Sequence, residues 1–150
     1  LIDNNVREKG EYQLTNALEN MKSKGMKFVP GKVDEWLDCG NKDATVYTNQ
    51  RVLEHHRNDN LVASDVRSSH SVIIPPCFIG AGVELINSIV GPHVSIGAGS
   101  RIEGSVITNS ILQTNTKVRH AVIDNSMIGH SAEYAGSPAQ LSLSDYSTHQ

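Results

Sequence analysis

From Ile73 to about Tyr134 an aliphatic residue returns every five or six positions. The series is Ile73, Ile79, Leu85, Val90, Ile96, Ile102, Ile107, Leu112, Val118, Ile123 and Ile128. Small or turn-forming residues follow, as Gly80-Ala81-Gly82, Gly97-Ala98-Gly99, Gly91-Pro92-His93 and the Asn-Ser pairs that begin at Asn87, Asn109 and Asn125. The steps group into larger units that restart at Ile73, Val90, Ile107 and Ile123, every 16 or 17 residues. A helix has no use for a glycine or an Asn-Ser pair in every turn, and a hairpin sheet does not restart at that interval. A coil of three short strands around an apolar axis needs both. Hexapeptide periodicity of this kind predicts a parallel β-helix of roughly three and a half coils. Each aliphatic residue points inward, and glycine or asparagine at the corner tolerates positive φ. Stacking then buries a continuous core that one coil alone lacks.

The first sixty residues have a different pattern. Leu14, Ala17, Leu18 and Met21 share one face of a helix. Asn16 with Glu19 predicts a capping box, and Gly25 a stop. Met26 to Val29 and Glu35 to Asp38 read as short strands. A second helix is predicted from Asn41 or Asp43 to His55-His56. The expected organisation is a mixed α/β unit over 1–60, a linker over 61–72, an all-β coil over 73–136 and a tail over 137–150. Two helices and two short strands make no sheet of their own, so residues 1–60 are expected to be the last part of a larger α/β domain.

Composition narrows the function classes. Formal net charge is −3 and no lysine or arginine run is present, so no nucleic-acid partner is expected. No apolar stretch reaches membrane-spanning length and no signal peptide is visible, so no membrane partner is expected either. The cysteines, Cys39 and Cys77, lack metal-like spacing and suit a reducing compartment, which points to a cytoplasmic protein. Charge is concentrated in residues 1–60. The coil, low in charge and flat-faced, is expected to associate as a homo-oligomer, a dimer or trimer.

The candidate chemistry lies before the coil. Asp38 is a carboxylate at a predicted strand end, two residues before Gly40 and just ahead of a helix N-terminus. Mg²⁺ favours such a donor, since it takes one or two carboxylates together with phosphate oxygens. Glu11, in Gly10-Glu11-Tyr12-Gln13-Leu14-Thr15, precedes a helix where it can accept hydrogen bonds from sugar hydroxyls. Cys39 reads as a small buried neighbour of Asp38, and Cys77 as a filler of the coil.

The two motifs in this order, Gly-Glu-x-x-Leu-Thr and then Trp36-Leu37-Asp38-Cys39-Gly40, resemble those of the sugar-1-phosphate nucleotidyltransferases. The similarity is to the glucose-1-phosphate thymidylyltransferase and mannose-1-phosphate guanylyltransferase group. Glu11 and Asp38 stand 27 residues apart, near the spacing of that family. Many members carry a C-terminal hexapeptide-repeat left-handed β-helix, which the repeat from Ile73 resembles; the left-handed sense is implied by this resemblance alone. The resemblance implies that Asp38 is a metal ligand for Mg²⁺ and that Glu11 contacts the sugar. It further implies that Trp36 and Gly40 shape the substrate-binding site. The substrates would be a sugar-1-phosphate and a nucleoside triphosphate, joined with release of pyrophosphate.

The sequence also departs from the family. It has no Gly-x-Gly-x-Arg-Leu loop, no Glu-Lys-Pro segment and no first metal aspartate. It is therefore expected to be the C-terminal portion of such an enzyme, with no complete catalytic set and no activity alone. The alternative is a hexapeptide-repeat acyltransferase, or a bifunctional nucleotidyltransferase/acyltransferase. That reading needs a histidine beside a long inserted loop. His93, His120 and His130 fall at different points of their coils, and no such loop interrupts the repeat.

Overall fold

A computed structural model describes residues 2, 5, 7–137 and 139–148 of the chain. The chain divides into two compact units, Leu1–Trp36 and Leu37–Gln150.

In the first unit the regular element is helix α1, Leu14–Ser23. Its C-terminus forms the hydrogen bonds of a Schellman turn: the Gly25 amide donates to the Lys22 carbonyl at 2.9 Å and the Met26 amide to that of Met21 at 3.2 Å. Gly25 sits at φ +84°, which explains the glycine stop. The predicted capping box is not formed. Gln13 is the N-cap and makes no side-chain cap bond, while Asn16 lies inside the helix and donates to Glu8 Oε2 at 3.0 Å. No α1 residue is buried, and Leu14, Leu18 and Met21 are exposed. The predicted strands at 26–29 and 35–38 are likewise absent, and both segments are irregular. A strand exists only through a neighbour that accepts its ladder bonds, and among the described residues neither segment takes part in a β-ladder.

The second unit begins with helix α2, Lys42–His55, capped by Asn41, whose side chain accepts the Ala44 amide at 2.9 Å. After it the chain winds into a parallel β-solenoid. The first coil holds β1 (Arg67–Ser69), β2 (Val72–Ile73) and β3 (Cys77–Ile79), the second β4 (Glu84–Ile86), β5 (Ile89–Val90) and β6 (Val94–Ile96). The third holds β7 (Arg101–Glu103), β8 (Val106–Ile107) and β9 (Ile111–Leu112), the fourth β10 (Lys117–Arg119), β11 (Val122–Ile123) and β12 (Met127–Ile128). Strand β13 (Glu133–Ala135) opens a fifth. Three parallel sheets result, ordered β1-β4-β7-β10-β13, β2-β5-β8-β11 and β3-β6-β9-β12. This is the hexapeptide-repeat left-handed β-helix expected from the sequence.

The register matches the repeat. Ile73, Val90, Ile107 and Ile123 align in one column, and Ile79, Ile96, Leu112 and Ile128 in another. Leu85, Ile102 and Val118 form the third. Every aliphatic residue of the series belongs to the core or packs against it; Ile79, Leu85, Val90, Ile96, Ile102, Ile107 and Val118 are 0% exposed. The corners carry the left-handed residues that the pattern called for, among them Asn87, Asn109 and Asn125 at φ 48°, 41° and 44°.

The coil starts before Ile73. Val62 bridges in parallel to Ile79, Arg67–Ser69 pairs with Glu84–Ile86, and Val62 and Val66 pack on the core. Residues 61–72, expected as a linker, are thus coil already. The reason the pattern missed them is chemical: Ser68 stands in the register column of Leu85, Ile102 and Val118. Residues 37–60, expected with the first sixty, group with the coil in the division at Trp36 and Leu37.

Candidate functional site

The segment between Leu37 and Asn41 leads into α2, and two hydroxyl contacts fix it there. Thr48 donates through Oγ1 to the Asp38 carbonyl at 2.6 Å, and Thr45 through Oγ1 to the Asn41 carbonyl at 2.7 Å. The Asp38 carboxylate folds back over its own turn. Its Oδ1 accepts the Cys39 amide at 2.8 Å, and a Cβ on residue 40 would stand 3.1 Å from its Oδ2. Gly40 therefore keeps open the space beside that oxygen. Asp38 and Gly40 stand side by side at this turn. Cys39, expected to be buried, is exposed, because the irregular segment has no sheet to lie in; Cys77 is buried in the coil. Desolvation pushes the Cys77 thiol up.

Glu11 and Trp36 lie in the first unit. Glu11 is exposed and forms an isolated antiparallel bridge with Glu8. Trp36 is exposed over 83% of its surface.

Asp38 offers one hard oxygen donor at an exposed turn with glycine beside it. That fits one position of a Mg²⁺ shell, which keeps several waters and takes its remaining oxygens from phosphates. Among the described residues no group of three or more His, Cys, Asp or Glu side chains gathers to hold a metal ion. The fit is that of a single contributing ligand.

Sequence reasoning missed the docking of α2 on the coil. Val46 and Leu53 are buried, 1% and 3% exposed, and the helix meets β6. Burying two such side chains is worth about 1.5–3 kcal/mol each. Polar contacts run the length of the helix. At its start Lys42 Nζ donates to the Asn125 carbonyl at 2.9 Å, and Asn125 Nδ2 to Asp43 Oδ1 at 3.2 Å. In the middle Asn49 accepts from Ser95 Oγ at 2.6 Å and donates to the His93 carbonyl at 3.3 Å. Near its end Glu54 Oε1 lies 2.6 Å from His93 Nε2. The hydrogen bond from His93 holds the Glu54 carboxyl below the usual range, and burial opposes this only in part. Lys42, Val46, Asn49 and Leu53 follow one helical stripe. The lysine and asparagine in that stripe hid it from a search for apolar periodicity.

His93, His120 and His130 occupy separate corners. His93 follows β5, His120 follows β10 and His130 comes after β12, where its Nδ1 lies 2.5 Å from Thr114 Oγ1.

A β-helix of hexapeptide coils preceded by a docked helix defines the class, and comparison with known proteins defines the family. The family described as GlmU-like, C-terminal hexapeptide matches residues 52–141, and the chain belongs to it. A glucose-1-phosphate thymidylyltransferase of Streptomyces antibioticus is 29% identical over 83% of this chain and 40% of its own length. One from Streptomyces griseus is 27% identical over 95% of this chain and 46% of its own. The bifunctional protein GlmU of Lactobacillus delbrueckii subsp. bulgaricus is 27% identical over 83% and 30%. The chain thus spans less than half the length of these relatives. No solved structure matches it. Among the described residues no helix is long and apolar enough to cross a membrane.

Proposed function

We propose that this chain is the C-terminal portion of a sugar-1-phosphate nucleotidyltransferase, its residues before the coil completing a catalytic domain and its β-helix serving assembly. The observation that carries this reading is the reach of the similarity. A thymidylyltransferase matches over 95% of the chain, which takes in the Gly10–Gly40 segment as well as the coil. Similarity confined to the coil would speak for the repeat alone.

In this reading Asp38 is a Mg²⁺ ligand, Glu11 contacts the sugar, and Trp36 and Gly40 shape the substrate-binding site, Gly40 leaving room for a phosphate. When bound, Mg²⁺ would neutralise charge on the phosphates while a sugar-1-phosphate oxygen attacks the α-phosphorus and pyrophosphate leaves. The chain's own contribution is positional: a carboxylate held at a fixed turn, and a glycine that keeps its neighbourhood open. Positioning and charge neutralisation need the full set of donors. The isolated chain, without the glycine-rich loop, is therefore inactive. Assembly rests on the sheet β2-β5-β8-β11, whose outward column is Val72, Ile89, Val106 and Val122, all exposed.

The test is pyrophosphate release with a panel of sugar-1-phosphates and nucleoside triphosphates. The isolated chain should release none. The longer protein that contains it should turn over, and Asp38→Ala should abolish most of that turnover. Turnover by the isolated chain, or indifference of the longer protein to Asp38→Ala, refutes the proposal.

A further inference from the structure

We infer that the β-helix positions Asp38, acting through α2, so that the coil is a working part of the metal site as well as an assembly element. This rests on the reading of Asp38 as a Mg²⁺ ligand. The contacts form an unbroken path. The Asp38 backbone is tied to α2 by Thr48, six residues into the helix. The start of α2 is tied to the fourth-coil corner at Asn125 through Lys42 and Asp43, and its middle and end to the second coil through Asn49 and Glu54. Val46 and Leu53, both buried, seat one face of the helix on the coil. A solenoid is the stiffest support available here, because every coil is hydrogen-bonded to the next.

The path matters because, among the described residues, the hydrogen bonds of residues 37–41 stay within the turn and α2. Asp38 Oδ1 is satisfied locally by Cys39, and Asn41 only caps the helix. The direction of the carboxylate therefore follows the helix, and the helix follows the coil. His93 and Asn125 are positioning residues in this scheme, more than fifty residues from Asp38 in sequence. Glu54, Asn49 and Thr48 are the links on the helix. Outer contacts that orient a metal ligand change metal affinity or activity by roughly 10–100-fold when removed.

Two helix variants test this without touching the coil. In the first, Glu54→Ala with Asn49→Ala cuts the seam. In the second, Thr48→Val cuts the link to Asp38, with Thr48→Ser as its conservative partner. The first readout is hydrogen exchange on the 150-residue chain. Amides of residues 39–48 should exchange about ten-fold faster or more in the Glu54/Asn49 variant, while those of β6 and β9 keep their rates. The second readout is the Mg²⁺ concentration for half-maximal pyrophosphate release by the longer protein. It should rise about ten-fold in both variants and return to the parent value in Thr48→Ser. Lys117→Ala, which breaks an ion pair with Glu133 on another sheet, should change neither.

Unchanged exchange at 39–48, or an unchanged Mg²⁺ requirement in an active protein, overturns the inference. A longer protein that releases no pyrophosphate at all overturns the proposed function instead. In that case the exchange rates alone decide whether the coil braces the Asp38 turn.

Discussion

The hydroxyl of Ser88 accepts the backbone N–H of Ser105, one coil on, at 3.1 Å, and itself donates to the Ile86 carbonyl at 2.7 Å. Ser105 repeats the arrangement, accepting the Ala121 amide at 3.2 Å and donating to the Glu103 carbonyl at 2.8 Å. Ser110 serves Ser126 in the same way at another corner, at 3.0 Å. A corner interrupts the ladder between coils, and an amide left there without an acceptor would be buried and unpaired. These serines supply the acceptor. Ser88→Ala should therefore cost about 1–3 kcal/mol, the penalty for a buried amide stripped of its partner. Thermal unfolding should fall by several degrees. Ser88→Ala melting like the parent would show that the Ser105 amide finds another acceptor.

The core columns make a graded prediction. Ile96 is 0% exposed and pairs in register with Ile79 and Leu112. Ile96→Val removes one methylene and should cost about 0.5–1.5 kcal/mol. Ile96→Asp places a charge where no cation can reach it, which costs several kcal/mol, enough to unfold the coil. Circular dichroism during urea titration should show a lower midpoint for the first variant and no cooperative transition for the second. A cooperative transition in Ile96→Asp would mean that the column tolerates an opening to water.

The sequence disclosed the coil because its demands are local. An inward aliphatic every five or six residues and a corner that accepts positive φ leave their mark in each repeat. The same logic concealed the first coil, where Ser68 stands in a column of leucine, isoleucine and valine. The seam of α2 was concealed differently. Its contacts pair Asn49 with Ser95 and Lys42 with a carbonyl, chemistry that looks solvated until the partner is known. At the candidate site, Asp38 and Gly40 could be read as neighbours because only Cys39 separates them. The predicted strands at 26–29 and 35–38 failed because strand character alone provides no pairing partner.

Acid should weaken the second unit before it weakens the apolar core. Glu84 lies below the usual carboxylate range because Arg101 and then Arg67 hydrogen-bond to it, and Glu54 because of His93. Lys117 does the same for Glu133, and Lys42 with Asn125 for Asp43. Each group titrates lower when folded than when unfolded. Its contribution is therefore complete above the unfolded value and is lost as pH falls through the folded one. The unfolding midpoint should stay flat from neutral pH to the top of the carboxylate range and then decline. Because these pairs sit at the surface, the decline is modest and salt shrinks it. Glu84→Gln should remove part of it. A midpoint that falls between pH 8 and 6 and holds steady below would contradict this assignment.

The three sheets of the coil do not present the same surface, and that difference predicts how copies of the chain meet. On β1-β4-β7-β10-β13 the outward side chains include Arg67, Glu84, Arg101 and Glu103, joined by ion pairs, and Lys117 with Glu133. Charges satisfied in that way favour water. The sheet β3-β6-β9-β12 is met by α2 at β6. The third, β2-β5-β8-β11, offers Val72, Ile89, Val106 and Val122 in one column at 55%, 41%, 37% and 86% exposure. No charge divides that column, and its spacing is that of the coils themselves, so another copy of the same face matches it rung for rung. Light scattering at micromolar concentration should give a mass above that of the monomer. Ile89→Asp with Val106→Asp should return it to the monomer, with the coil's circular dichroism intact because both side chains already touch solvent. A monomeric parent would refute the association, and an oligomer indifferent to the double substitution would move the contact to another face.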